Sequence, residues 1–213
     1  MIIISTQILN DEIVEYVENT ILPKYQNFDL AHKIDHAKAV ISNSLDIAKE
    51  YDVDINMVYV IAAYHDLGLI NGRENHHIDS GIILADDKYL KSMFSIEDIN
   101  LMSQAVEDHR ASNDYEPRSI YGKIVSTADR DLKYHNIIRR TSEFSVSNFP
   151  EHSFEEHMDR CIDHLNTKYG EYGYVKLWLD DAHTKNLLKI LRAKIAMTED
   201  VIADFTIELN RLI

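Results

Sequence analysis

An all-α fold is the architecture this chain of 213 residues predicts. Glycine (6) and proline (3) are both scarce, leaving little punctuation for many tight turns. Apolar residues recur at helical spacing along most of the chain, the pattern of helices that bury one face. Capping residues stand in front of several of these runs, which marks where helices begin.

The first helix is expected from about Asn10 to Lys24, with Ile13, Val17 and Ile21 on one face and Pro23 near its close. A longer helix is expected from about Asp29 to Tyr51. Asp29 is its N-cap, Ala37, Ile41, Leu45 and Ala48 form its stripe, and His32 and His36 share a face. Asp54 is expected to cap a third, very apolar helix that runs through Val60, Ile61 and Tyr64 into His65-Asp66 and stops near Gly68. After a loop at Asn71-Gly72, the stretch Arg73 to Gly81 opens another helix. Ser95 and Asp98 form a capping box for the next, which ends at Glu107-Asp108-His109-Arg110. A helix through Ile120, Ile124, Val125 and Ala128 then delivers Asp129-Arg130-Asp131.

Beyond about Tyr134 the helices become long and charge-rich, at roughly 153–169 behind a Ser153/Glu156 capping box, and at roughly 183–212. The reading is a helical core over 1–135 that holds the candidate site, and a helical extension over 136–213 packed on the same domain. That extension would serve as scaffold, lid or homo-oligomer face. His135, His152, His157, His164 and His183 share no ligand spacing and are expected on the surface or in packing.

Composition excludes several functions. A net charge of -14 disfavours a nucleic-acid polymer as partner, because phosphate backbones are bound by displacing counterions with Lys and Arg. A small phosphorylated ligand is still allowed, since a metal or arginine cluster reverses the field locally. The single cysteine, Cys161, rules out an intrachain disulfide and fits a reducing cytoplasm. The apolar start Met1-Ile-Ile-Ile meets Asp11 and Glu12 before a signal-peptide core could form. No apolar run approaches the roughly 18 residues that span a bilayer, so a cytoplasmic location is expected.

His65-Asp66 is the anomaly in this pattern. Two polar groups close an apolar helix, where burial is costly unless they pair or hold a metal. Adjacent helical residues point about 100° apart, so both reach one ion only near a helix end, and Gly68 supplies that end. Candidate ligands elsewhere are His36, His77, with His76 the competing assignment, His109 and Asp129. Imidazole and carboxylate without thiolate suit iron, manganese, zinc, nickel or magnesium, one ion or two. Such a centre lowers the pKa of bound water and polarises a phosphoryl oxygen. Arg73, Arg110 and Arg130 stand beside these ligands in the sequence and could clamp an anionic phosphate.

The ordered set His36…His65-Asp66…Asp129, within Asp35-His36-Ala, Tyr64-His65-Asp66-Leu-Gly and Ala128-Asp129-Arg130, resembles the signature of the HD-domain metal-dependent phosphohydrolase superfamily over roughly residues 28–135. The resemblance implies an HD-type helical bundle with the C-terminal helices as an extension. It implies that His36, His65, Asp66 and Asp129 hold a first metal, with Asp66 bridging to a second. His77, in His-x-x-x-Gly, and His109 resemble the added ligands of two-metal branches, and His77 is preferred over His76 for its spacing to Gly81. His32 matches a histidine that faces substrate. His32 and Asp131 are the candidates for protonating the leaving oxygen.

Leu69 stands where the cyclic-di-GMP-cleaving branch has lysine, and the Glu-Asp pair of alarmone hydrolases is absent, so neither substrate is implied. The expected activity is hydrolysis of a small phosphate ester or nucleotide. A di-iron oxygenase and a non-catalytic nucleotide sensor are the alternatives.

Overall fold

Helix α3 (Ile55–Tyr64) shows most directly why the first part of the chain folds as it does. Every residue from Met57 to Tyr64 is buried, because a helix apolar on all sides is stable only when surrounded. Around it pack α2 (Ile34–Ala48), α4 (His76–Asp86), α6 (Ile96–Glu107) and α7 (Ile120–Arg130). Its start is fixed twice. The Asp54 side chain accepts the Asn56 N–H at 2.7 Å, and the Asp54 N–H donates to the Tyr121 hydroxyl of α7 at 3.0 Å.

The computed structural model describes residues 8–130, 132–179 and 182–213, the last without the side chains of Ala182 and His183. Among these residues the secondary structure is helical, with no strand, and no helix is long and apolar enough to cross a membrane. The chain divides into two compact units.

The first unit runs through Phe28 and resumes over His32–Arg130. It opens with α1 (Asp11–Tyr16), which continues into a π turn over Val17–Ile21 and a 3-10 stretch over Leu22–Asn27. The sequence predicts a single α-helix here. Pro23 cannot donate to the carbonyl four residues back, and the pitch changes around it. Helix α2 starts later than expected, at Ile34, with Lys33 as its cap residue. Asp29 accepts instead from the Ala31 N–H at 3.0 Å and from Asn148 at 3.4 Å. Both bonds belong to the second unit, which takes in Asp29–Ala31. The Ser95/Asp98 capping box is present as expected. The short helix α5 (Leu90–Met93) lies between α4 and α6.

Contact between α4 and α6 depends on Gly81, where a Cβ would stand 2.9 Å from Glu107 Cγ and 3.0 Å from the Ser103 carbonyl oxygen. The Ser103 hydroxyl donates to the Gly81 carbonyl at 2.9 Å.

The second unit holds α8 (Tyr134–Asn148), α9 (Phe154–Tyr169), α10 (Ala182–Ile195) and α11 (Thr198–Leu212), around Ile138, Cys161, Leu165, Leu191 and Phe205. The helix expected over 183–212 is two helices. The chain leaves helical geometry at Met197 (φ -87°, ψ 72°), and Glu199 and Asp200 then favour a fresh N-terminus. His157 is buried against Ser145, its Nδ1 2.8 Å from the hydroxyl, in keeping with the packing role expected of it. The His183 side chain lies outside those described.

One polar junction ties α1, α3 and α4 together. Asp87 Oδ2 accepts from the hydroxyls of Tyr16 (2.6 Å) and Tyr64 (2.7 Å). Its Oδ1 accepts from the N–H groups of Tyr89 (2.8 Å) and Leu90 (3.1 Å). Burial opposes the carboxylate, but the two hydroxyls and two amides outweigh it and hold its pKa below the usual range. A group that titrates below its unfolded value contributes fully above about pH 4 and loses that contribution as pH falls through its folded value. Asp87→Asn is therefore expected to destabilise the fold by about 1–2 kcal/mol at pH 7, discounted for the half-exposed site. The difference should be smaller at about pH 3, and shrink further as pH falls. Urea unfolding of both proteins at the two pH values measures it.

Candidate metal centre

Five helix ends meet at the cluster. His36 lies in the first turn of α2 and His65 closes α3, with Asp66 next in the chain. His76 opens α4, His109 follows the C-terminus of α6, and Asp129 sits in the last turn of α7. Helices α3, α6 and α7 direct their carbonyl ends here, which favours a cation.

Three of the imidazoles are oriented in the same way. The Nδ1 of His65 donates to the Ala62 carbonyl (2.8 Å), that of His76 to Arg73 (2.8 Å) and that of His109 to Val106 (2.6 Å). A carbonyl can only accept, so each Nδ1 carries a proton, and Nε2 is the nitrogen turned to the interior, where it can ligate a metal once unprotonated.

The Nε2 atoms converge on Asp66. Its Oδ2 is 3.1 Å from His65 Nε2 and 3.4 Å from His36 Nε2. Its Oδ1 is 3.5 Å from both His76 Nε2 and His109 Nε2. Asp129 Oδ1 joins the first side, 3.2 Å from His36 Nε2 and 3.8 Å from His65 Nε2. Donor atoms about 2.1 Å from one ion stand about 3.0 Å apart along an octahedral edge and about 3.4 Å along a tetrahedral one. The observed spacings are of that size. Two ligand sets result, His36/His65/Asp66 and Asp66/His76/His109, with one Asp66 oxygen turned to each.

The electrostatics also call for a cation. Burial opposes the Asp66 carboxylate, yet His65, His109 and His36 together hold its pKa well below the usual range. Burial likewise opposes Asp129, and His36 and His65 reverse that effect. Burial works against a charged His65 as well, but Asp66 and Asp129 push its pKa up to about 9. Two carboxylates in this site thus draw positive charge from whatever group stands next to them, and the donor set fits one or two divalent ions.

Below the cluster the backbone is held tightly. The Tyr25 hydroxyl donates to the Ala63 carbonyl (2.9 Å) and accepts the Asp66 N–H (3.3 Å). The Gly68 N–H donates to the Ser80 hydroxyl at 2.8 Å. A Cβ at Gly68 would lie 2.0 Å from the His76 carbonyl oxygen and 2.6 Å from the Ser80 nitrogen. Asp108 is locked by Arg118, whose Nε donates to Oδ1 (2.9 Å) and whose backbone N–H donates to Oδ2 (2.7 Å). This bidentate clamp fixes the residue before His109.

Residues 34–132 match the family model of the HD domain. The chain carries an HD domain. The crystal structure of a predicted HD superfamily hydrolase from an uncultured Thermotogales bacterium shares the fold, with a TM-score of 0.53 and 18% identity over 91% of each chain. No curated protein matches the sequence.

All six residues of the cluster fall inside the HD domain, and Tyr25 and His32 precede it. The structure brings together His36, His65, Asp66, His109 and Asp129 as expected from the sequence, but the sixth member is His76. The expected His77 faces the other way, half-buried, with its Nδ1 3.3 Å from Arg110 Nη1. Burial and the Arg110 charge push its pKa down to about 4. The spacing from His77 to Gly81 misled because Gly81 answers to the α4–α6 contact.

His32 sits in a short 3-10 turn before α2, rather than on its face. Its ring is edge-on to His36 at 5.9 Å, and Arg73 Nη1 lies 3.4 Å from its Nε2. Arg110 donates to the Glu74 carbonyl at 2.5 Å and to Ser112 at 2.9 Å, so it braces the loop before α4. Arg130 is the third arginine that the sequence offers as a phosphate clamp. It is 2% exposed, and its Nη1 donates to the Ser126 carbonyl one turn back in α7. Asp131 lies outside the described residues.

His76→Ala is expected to lose one equivalent of bound divalent metal, while His77→Ala retains the wild-type content, as measured by elemental analysis after dialysis. Gly68→Ala should destabilise the fold by about 3 kcal/mol or more, since the added carbon meets backbone rather than a movable side chain. Thermal unfolding of the purified variant checks this.

Proposed function

We propose that the protein is a metal-dependent phosphohydrolase acting on a small phosphate ester or nucleotide. The observation that carries this reading is Asp66, one buried carboxylate facing two imidazole sets with different oxygens. Divalent ions held there would supply Lewis acidity and water activation near neutral pH. Two such ions against Asp66 and Asp129 leave a net positive charge, which attracts an anionic phosphate despite the acidic chain.

The residues divide the remaining work. His36, His65, Asp66 and Asp129 would hold the first ion, and Asp66, His76 and His109 the second. The Asp129 side chain is 19% exposed, against 6% for Asp66 and 0% for His65, so substrate and water would reach the cluster from its side. Arg73, exposed and beside His32, brings a guanidinium to bear on phosphoryl oxygens. His32 and Asp131 are the groups proposed to deliver a proton to the leaving oxygen.

Four imidazoles and two carboxylates also suit a di-iron oxygenase, which oxygen consumption without phosphate release would reveal. A nucleotide sensor would keep its ligand in Asp66→Asn protein and turn nothing over.

Purified protein should contain one to two equivalents of divalent metal. It should release phosphate from small esters in a screen loaded in turn with iron, manganese, zinc, nickel and magnesium. His65→Ala and Asp66→Ala should each lower metal retention and activity by more than about 100-fold, beyond the usual effect of losing an outer-sphere partner. Unchanged metal content in both variants would overturn the assignment.

A further inference from the structure

The geometry points to Tyr25 as a positioning residue for the metal centre, whose hydroxyl turns the end of α3 so that His65 and Asp66 face the same point. This rests on the metal reading of the cluster and adds to it a residue outside the HD-domain match, which begins at residue 34.

In a continuing α-helix, His65 and Asp66 would diverge by about 100°. The carbonyls of Ala62 and Ala63 would accept from the N–H groups four residues on. Here both carbonyls have side-chain donors. His65 Nδ1 donates to Ala62 at 2.8 Å, and the Tyr25 hydroxyl donates to Ala63 at 2.9 Å. The same hydroxyl accepts the Asp66 N–H at 3.3 Å.

Asp66 itself leaves helical geometry, at φ -109° and ψ 6°. The chain then tightens into a 3-10 turn over Leu67–Asn71, where the Leu69 N–H donates to the Asp66 carbonyl at 3.0 Å. One phenol thus binds a carbonyl in the last turn of the helix and holds the amide of the residue that must swing round. The carboxylate ends 3.1 Å from the Nε2 of its own neighbour.

The phenol is suited to hold this bond pattern without titrating. Tyr25 is fully buried, and burial together with the nearby Asp66 charge raises its pKa well above the usual value. Its ring packs edge-on against Phe28 at 5.3 Å and lies 6.3 Å from the His65 ring. The side chain therefore has a packing role that phenylalanine can keep and a hydrogen-bonding role that it cannot. Tyr59 provides the matching control. It is a buried tyrosine of α3 whose hydroxyl has no hydrogen-bond partner among the described residues.

The test compares Tyr25→Phe, Tyr59→Phe and wild-type protein, each confirmed folded by a thermal melt, with Mn²⁺ as the probe. Tyr25→Phe should bind Mn²⁺ 10- to 100-fold more weakly, the range typical for loss of a group that orients a ligand. The Asp66 amide of the metal-free protein should exchange at least tenfold faster, and Tyr59→Phe should match wild type in both. Unchanged Mn²⁺ affinity in folded Tyr25→Phe overturns the inference, and so does unchanged Asp66 exchange. If wild-type protein binds no Mn²⁺, iron or zinc, the metal reading falls, and faster Asp66 exchange in Tyr25→Phe still upholds the backbone role of the phenol.

Discussion

A carboxylate surrounded by buried imidazoles needs positive charge beside it, and Asp66 sets that demand at the centre of the first unit. Desolvating an unpaired carboxylate costs several kcal/mol. The four nearby Nε2 atoms offer places where protons or metal ions can meet the demand. The orientation of the rings leaves one nitrogen of each for that role. With His65, His76 and His109 each giving Nδ1–H to a carbonyl three residues back, the Nε2 atoms face the carboxylate. The same arrangement repeated three times turns three Nε2 atoms to one carboxylate, a donor set that suits a divalent ion.

The helices around α3 serve this centre through their ends rather than their faces. Ligands carried on helix termini can be adjacent in space without their side chains crossing a packed interior. The apolar stripes remain free to form the core of Val60, Ile61, Leu84, Met102 and Val125. Gly68 and Gly81 sharpen the arrangement by letting backbone approach backbone where α4 begins and where it meets α6. The hydrogen bond from Gly68 to Ser80 then fixes the chain just after the HD pair.

Much of this was legible in the sequence, and the exceptions have physical causes. Capping at Asp54, Ser95 and Ser153 is local chemistry, and each cap stands where its side chain places it. Helix α8 carried a weaker signal because its buried face includes Thr141, Ser142 and Ser145 alongside Ile137 and Ile138. Hydroxyls in that face bond within the unit, as Ser142 does to the Ile138 carbonyl at 3.0 Å, so the apolar period is diluted. The choice between His76 and His77 was beyond local pattern, since both are polar and adjacent. It turns on the Arg73 carbonyl that captures one of them. Burial of Arg130 was likewise beyond local pattern, because charged residues seldom enter cores and only the tertiary fold encloses it.

The convergence of helix ends has a consequence for how the protein is assembled. His36 and Asp129 lie near opposite ends of the HD domain in sequence, yet their side chains are 3.2 Å apart. An ion bound between them would be a clasp on distant segments, offsetting part of the entropy lost in closing the long loop between them. Ligand available at about 100 times its dissociation constant adds about 2.7 kcal/mol to the stability of whichever state it binds.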